Sequence, residues 1–443
     1  MSKYPSYNQM KDSGIEWLGE IPEHWEVGRL KFYIKLNPSK NEIKSSSSDS
    51  KATFLPMENI YADGTIDVSK EKTIDDVASR FTYFREGDVL LAKITPCFEN
   101  GKSAIASDLK NKIGFGTTEI QVLRSNNNST ERFLYYLINS NRFMKFGETR
   151  MTGSAGQKRV PTKFIKNFRQ GFPPLKEQKT IADFLDRETG RIEELIEKKK
   201  KLIELLEEKR QATITQAVTK GLDSDVEMKD SGIEWLGEIP KHWKLVPLKY
   251  LKKQPFLYGA NESPDSNSLD NPRYIRITDI DENGELKDNT FKALSYKKAG
   301  PYLLKDGDIL FARSGATVGK TYMYKEKIGE ACFAGYLIRF RADKEKVKSS
   351  FINYYTQTKI YDSWIKENTI QATIENVSAE KYGNLLVTLP PKSEQDKIIN
   401  YLDQETNRID GLISKTKEQI ANLKEYKQAL ISNAVTGKIK ISN

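Results

Sequence analysis

Met10-Lys11-Asp12-Ser13-Gly14-Ile15-Glu16-Trp17-Leu18-Gly19-Glu20-Ile21-Pro22-Glu23-His24-Trp25 recurs as Met228–Trp243, with Glu23 replaced by Lys241 as the one change in 16 residues. The copies stand 218 residues apart (228 − 10), close to half of a 443-residue chain. A period this long marks a duplicated domain and not a solenoid repeat.

A second block closes each half. Phe172-Pro173-Pro174-Leu175-Lys176-Glu177-Gln178 reappears as Leu389-Pro390-Pro391-Lys392-Ser393-Glu394-Gln395. Phe184-Leu185-Asp186 and Tyr401-Leu402-Asp403 follow in step, then Ala217-Val218-Thr219 and Ala434-Val435-Thr436. Between these blocks the halves agree only in outline. Phe84-Arg85-Glu86-Gly87-Asp88-Val89-Leu90 matches Leu304-Lys305-Asp306-Gly307-Asp308-Ile309-Leu310 at a shifted offset. Uneven divergence implies two like tasks at the ends and two unlike tasks in the middles.

From Lys176 to about Thr219 the chain has no proline and one glycine, Gly190. Ile181, Leu185, Ile192, Leu195, Leu202 and Leu206 recur at helical spacing. Ile398, Leu402, Ile409, Leu412, Leu423 and Leu430 repeat the ladder in the second half. Both read as coiled-coil seams, interrupted at Glu188 and Lys199 and at Glu405, Thr416 and Gln419. Each helix is expected to run about 40 residues, roughly 60 Å. Lys198–Lys201 reads as a solvated face. Chain order requires the two helices to run antiparallel about a pseudo-twofold axis. Met10–Trp25 is then expected beside the end of the second helix, and Met228–Trp243 beside the end of the first.

Residues 26–172 and 244–389 read as mixed α/β. Alternation predicts strands at Glu119–Leu123 and Tyr336–Phe340, followed by helical stretches at Glu131–Phe146 and Lys348–Lys366 whose aromatics read as core. Ser45–Ser50 reads as a mobile loop. Basic and polar residues gather in predicted loops at matching places. The first half offers Lys93, Thr95 and Lys102, then Arg150, Ser154, Gln157, Lys158 and Arg159. The second offers Arg313, Ser314, Thr317 and Lys320, then Gln371, Thr373 and Asn376. Arg and Lys bind phosphates and read guanine, while Asn and Gln pair with adenine. Position holds while chemistry changes, as two readers of different sequences require.

Lys+Arg numbers 71 against 61 Asp+Glu, a net charge of +10 that favours a polyanionic partner. Two cysteines, Cys97 and Cys332, exclude a disulfide framework and a cysteine zinc site. His24 and His242, one per copy, read as packing or capping residues and not as metal ligands. No signal peptide and no apolar run near 20 residues is found, so a cytoplasmic chain away from membranes is expected. Gly315–Thr321 has three residues between its glycines where a phosphate-binding loop has four. No Asn/Asp-Pro-Pro-Tyr/Phe stretch occurs, Gly114-Phe115-Gly116 is too short for a cofactor cradle, and no catalytic triad has a credible base. Catalytic, cofactor and metal residues are therefore expected to be none.

The doubled Lys-Asp-Ser-Gly-Ile-Glu-Trp-Leu-Gly-Glu-Ile-Pro segment, the Pro-Pro-x-x-Glu-Gln helix starts and the Gly-Asp-Val/Ile-Leu blocks resemble the DNA specificity subunit of type I restriction–modification systems, over essentially the whole chain. The resemblance implies an α+β fold in which two α/β target-recognition domains are separated by two long antiparallel helices. It also implies a non-catalytic subunit that reads a bipartite site on double-stranded DNA across a fixed unread gap. Two adenine-methylating modification subunits, which use S-adenosylmethionine, would dock on it, and ATP-driven restriction subunits would join for cleavage. The expected division is a docking segment at 1–25, a recognition domain at 26–172, a long helix at 173–222, a second docking segment at 223–243, a second recognition domain at 244–389 and a last helix at 390–443. Ile15, Trp17, Leu18 and Trp25, with Ile233, Trp235, Leu236 and Trp243, are expected to face the partner. Half-sites about one DNA turn apart leave an unread gap of roughly 6 bp. Three alternatives stay open: an enzyme with unfamiliar motifs, a scaffold that assembles partners without reading DNA, and an orphan or inhibitory paralogue.

Overall fold

The computed structural model describes residues 4–43, 49–154, 156–281, 284–315, 317–369 and 376–441. Gln371 and Thr373, and most of the Ser45–Ser50 stretch, lie outside the described residues. The chain forms two compact units. Met1–Lys200 joins Glu418–Asn443 in the first, and Lys201–Lys417 makes the second.

In the first unit, strands Ile34–Leu36, Ile120–Ser125, Val89–Ala92 and Ser103–Ile105 form an antiparallel sheet in that spatial order. A second sheet orders Glu71–Thr73, Lys51–Leu55, Ile113–Gly116 and Thr82–Arg85, with Ile113–Gly116 parallel to Lys51–Leu55. The second unit keeps the first sheet as Leu257–Tyr258, Leu337–Phe340, Ile309–Ala312 and Thr321–Met323. Its other sheet is reduced to the parallel pair Arg273–Ile275 and Ala331–Phe333.

The Gly-Asp blocks hold a strand start in both units. Asp88 accepts Arg85 N at 2.8 Å and takes the Arg124 guanidinium in a fork, with both bonds at 2.7 Å. Asp308 repeats this with Lys305 N at 2.8 Å and with Arg341, whose Nε lies at 2.6 Å. Both carboxylates are buried, and a buried charge persists only when it is paired and hydrogen-bonded. The motif is therefore structural.

The aromatic stretches are core, as read: Phe133, Tyr136, Phe143, Phe351, Tyr354, Tyr355, Tyr361 and Trp364 are all buried. Each stretch is two helices and not one. Glu131–Ile138 breaks before Asn141–Thr149, and Ser349–Tyr355 breaks before Lys359–Thr369. Hydroxyls close the first helices, Ser140 Oγ donating to Leu137 O at 2.7 Å and Thr358 Oγ1 to Tyr355 O at 2.8 Å. Such side chains offer the backbone an alternative to continuing the helix.

Leu175–Lys220 and Lys392–Val435 are continuous helices of 46 and 44 residues. Within the first unit Glu193 pairs with Lys427, and Lys199 Nζ donates to Gln419 Oε1 at 2.7 Å, so the strands of this pair run in opposite directions. Within the second unit Arg210 Nε meets Asp410 at 3.0 Å, while Ile214 and Val218 share a core with Ile398 and Leu402. The pairing there is also antiparallel.

The seam itself needs correcting. Leu195, Leu202 and Leu412 are 42%, 44% and 41% exposed. The inward line runs Thr189, Ile192, Ile196, Lys199, Ile203 and Leu206 on one helix. On the other it runs Thr406, Ile409, Ile413, Thr416, Ile420, Leu423, Lys427 and Leu430. Thr189 and Thr406 set this phase. From each, the step to the next isoleucine is three residues, so the following step must be four. A threonine fits the seam because its hydroxyl bonds back one turn, to Leu185 O at 2.7 Å and to Leu402 O at 2.6 Å. Ile181, Leu185, Ile192, Ile398, Leu402, Ile409 and Leu430 are buried as expected, and Leu206 and Leu423 are half-buried.

Candidate nucleic-acid interface

In each unit three distant stretches meet at the end of the central strand. Lys93, just past Val89–Ala92, donates its backbone N–H to Glu119 O at 2.9 Å and accepts Val160 N at 2.8 Å. Arg313, just past Ile309–Ala312, donates to Tyr336 O at 3.0 Å and accepts Val377 N at 2.8 Å. Antiparallel bridges Ile94↔Arg159 and Ser314↔Asn376 complete the frames. Two equivalent backbone frames thus carry unlike side chains: Lys93, Glu119 and Arg159 in one, Arg313, Tyr336 and Asn376 in the other.

A finger projects from the first frame. Thr152 and Arg159 exchange backbone bonds at 3.0 and 2.8 Å and close a loop that exposes Ser154, Gln157 and Lys158. Gly153 has φ +132°, and a Cβ there would sit 2.7 Å from Gln157 O, so glycine is required. Arg159 forks onto Glu119 with both bonds at 2.9 Å, and its Nη1 donates to Gln157 O at 3.2 Å. The Arg159 hydrogen bonds hold the Glu119 carboxyl below the usual carboxylate range.

The second frame is described only in part, since residues 316 and 370–375 lie outside the described residues. The Arg313 guanidinium lies over the Tyr258 ring at 4.9 Å. Its Nε and the Asn376 Oδ1 are both buried without a hydrogen-bond partner among the described residues. Tyr336 is 63% exposed beside them. Unpaired buried polar atoms are costly and need an explanation. A guanidinium and an amide match the edges of bases.

The other sequence-selected residues lie nearby or are already engaged. Thr95 N bonds Lys158 O at 2.9 Å, which seats the finger. Lys102 Nζ donates to Met57 O at 3.1 Å. Arg150 is exposed at the end of its helix, and Ser314 and Thr317 are half-buried. Lys320 lines a cleft of about 980 Å³ with Arg210, Lys366, Lys417 and Asp362, and burial raises the Asp362 carboxyl. Glu119 and Tyr336 were missed. Nothing in their local sequence distinguishes them from ordinary strand starts. The 217-residue offset of the Pro-Pro-x-x-Glu-Gln blocks, and not that of the Gly-Asp blocks, pairs them (390 − 173 = 336 − 119).

The segments expected to face a partner are in large part internal, which corrects that expectation. Ile15, Leu18, Trp25, Leu236 and Trp243 are buried in their own units, and Trp17, Ile233 and Trp235 are half-buried. The Glu of each Pro-Pro-x-x-Glu-Gln start draws them in. Glu177 accepts Trp25 Nε1 at 3.2 Å and contacts His24 Nε2 at 2.7 Å; Glu394 does the same for Trp243 at 2.9 Å and His242 at 2.8 Å. The neighbouring glutamines fasten the recognition fold to the helix start. Gln178 bonds Thr130 N and Asn128 O, and Gln395 bonds Lys348 N and Lys346 O. As the chain order required, the first segment meets the chain end, with Lys438 Nζ on Leu18 O at 2.8 Å. The second meets the first helix end, where Trp243 packs with Ala217 and Val218. Among the described residues no cluster fit to hold a metal ion is present, and no helix is long and apolar enough to cross a membrane.

Comparison with known proteins agrees with this geometry. The family described as type I restriction modification DNA specificity domain matches residues 22–205 and 248–422. The chain is 27% identical to the EcoEI specificity subunit of Escherichia coli, covering 89% of this chain and 80% of that one. It is 26% identical to a putative MjaX specificity subunit of Methanocaldococcus jannaschii, over 96% of each. A shorter match, 45% identical, covers 37% of this chain and 27% of the EcoAI specificity subunit of Escherichia coli. Among solved structures, a chain from a type I R-M system studied for its complex assembly and conformational transition superposes with a TM-score of 0.75 at 19% identity, covering 94% of this chain and 98% of that one. The HsdS subunit from Thermoanaerobacter tengcongensis superposes at 0.57 with 20% identity, covering 95% and 98%. Two matched domains in tandem, covering most of its length, make this chain a member of the type I restriction–modification DNA specificity family.

Proposed function

We propose that the chain reads a bipartite site on duplex DNA for a type I restriction–modification complex, with one half-site read by each frame. It performs no bond chemistry itself. Two modification subunits that methylate adenine dock on it, and ATP-driven restriction subunits join the assembly. The observation that carries this reading is the doubled frame, with one backbone arrangement and two side-chain sets. Lys93, Arg159 and the finger residues Ser154, Gln157 and Lys158 serve the first half-site. Arg313, Asn376 and Tyr336 serve the second, with Lys320 and Arg150 as phosphate contacts. Phosphate contacts fix the register and base edges carry the sequence information.

The test is a domain exchange. Replacing residues 26–172 by the equivalent stretch of a relative, in cells that also carry the modification subunit, should change one half of the methylated sequence. Methylome sequencing reads both halves at once. A change in both halves, or in neither, would refute the assignment.

A further inference from the structure

The two halves of the chain treat two arginine–carboxylate forks differently. The Arg124–Asp88 fork is kept in the second unit as Arg341–Asp308. The Arg159–Glu119 fork is not, because Asn376 and Tyr336 stand 217 residues after its two members. The backbone survives that change. The bridges Ile94↔Arg159 and Ser314↔Asn376 are equivalent, as are the bonds from Lys93 N to Glu119 O and from Arg313 N to Tyr336 O. The fold therefore needs the first fork and does without the second.

The second fork also stands nearer to solvent. The side chains of Asp88 and Arg124 are 1% and 8% exposed, against 25% and 42% for Glu119 and Arg159. Exposed ion pairs add little to stability. A guanidinium has five N–H donors. Nε and Nη2 meet Glu119 at 2.9 Å each, and Nη1 donates to Gln157 O at 3.2 Å. One hydrogen on each terminal nitrogen is left over, and such a pair of donors suits O6 and N7 of guanine. A phosphate suits it less, because Glu119 cancels the charge that would attract one. Lys93 and Lys158 make no ion pair among the described residues and supply that attraction instead.

We infer that the first half-site contains a guanine read end-on by Arg159, with Glu119 as the positioning residue that fixes the guanidinium before DNA arrives. Glu119 takes no base itself. Holding a side chain in its bound geometry lowers the cost of ordering it on binding. This rests on the proposed reading of the first half-site, and adds to it the base and the residue that sets the arginine.

The experiment is competition binding with the full chain and its modification subunit, on duplexes carrying the site found by methylome sequencing. Each base pair of the half-site assigned to residues 26–172 is changed in turn, and each guanine there is replaced by a deazaguanine lacking N7. The wild type should lose about 5- to 150-fold when one G·C pair is changed, and should bind less tightly when that guanine loses N7. Arg159→Lys should erase both effects and leave the second half-site read as before. Glu119→Ala should cut discrimination at that same pair and no other, and Glu119→Gln, which still accepts from the guanidinium, should restore part of it. Hydrogen exchange over residues 150–160 checks that the finger stays closed. The deazaguanine arm needs no variant, so it decides the matter even where a substitution opens the finger. A first half-site in which no guanine N7 affects binding would overturn the inference. So would Glu119→Ala and Arg159→Lys acting at different base pairs, since Glu119 would then read a base itself. A uniform loss over all sequences would make the pair a latch or a phosphate anchor, overturning the inference while the two-reader assignment stands. A wild type that discriminates at neither half-site would sink that assignment and the inference with it.

Discussion

Arg313→Ala is the sharpest test of the second frame. In the free protein this guanidinium makes no ion pair among the described residues. Among the described residues its one aromatic contact is with Tyr258, at 4.9 Å. Losing a cation–π contact at a partly exposed site costs about 0.5–1 kcal/mol. Removing a buried Nε that has no partner among the described residues returns some of that loss. The fold should therefore hold, with a melting shift of at most a few degrees. A bidentate contact to a base is worth about 1–3 kcal/mol of discrimination. That corresponds to roughly 5- to 150-fold at one base pair, since about 1.4 kcal/mol is tenfold. The assay is competition binding on duplexes with single base-pair changes, run at several salt concentrations with the modification subunit present. Discrimination should collapse at one position of one half-site and persist at the other. A uniform loss over all sequences, with the log–log salt slope reduced by about 0.9, would make Arg313 a phosphate anchor and refute the reading role. Unchanged binding would refute both.

Two further outcomes can be stated briefly. Asp88→Asn and Asp308→Asn each break a buried forked pair, which typically costs about 3–5 kcal/mol; each should raise hydrogen exchange only in its own unit, and a change spread equally over both would contradict the two-unit division. Burial pushes the Cys332 thiol up to about 12, so iodoacetamide at pH 8 should label the half-buried Cys97 in the native protein and reach Cys332 only as denaturant opens the second unit.

Much of the architecture was legible because it is written twice. The doubled Met10–Trp25 segment and the Pro-Pro-x-x-Glu-Gln helix starts gave the tandem order, the two long helices and their antiparallel sense. The seam phase was not legible. Hydrophobicity picks out Leu195 and Leu202, but the true line passes through Thr189, whose hydroxyl is satisfied by Leu185 O, and through Ile196 and Ile203; only the break at Lys199, which meets Gln419, was read in place. The tryptophans misled for a similar reason. A repeated Trp looks like a surface meant for something else until Glu177 and Glu394 are seen taking the indole N–H. The two backbone frames were half legible. Loop chemistry located Lys93, Arg159, Arg313 and Asn376, while Glu119 and Tyr336 enter only through backbone pairing between distant stretches.

The first unit is closed by Glu418–Asn443, while the second lies wholly within Lys201–Lys417. On the ribosome, then, the unit that begins first is completed last. The second has its whole chain before the first receives the helix that covers Ile192 and Ile196. At about 5–20 residues per second the final stretch needs only seconds. Any product that stops short of residue 418 keeps that apolar stripe bare, and so carries its own mark for chaperones and proteases.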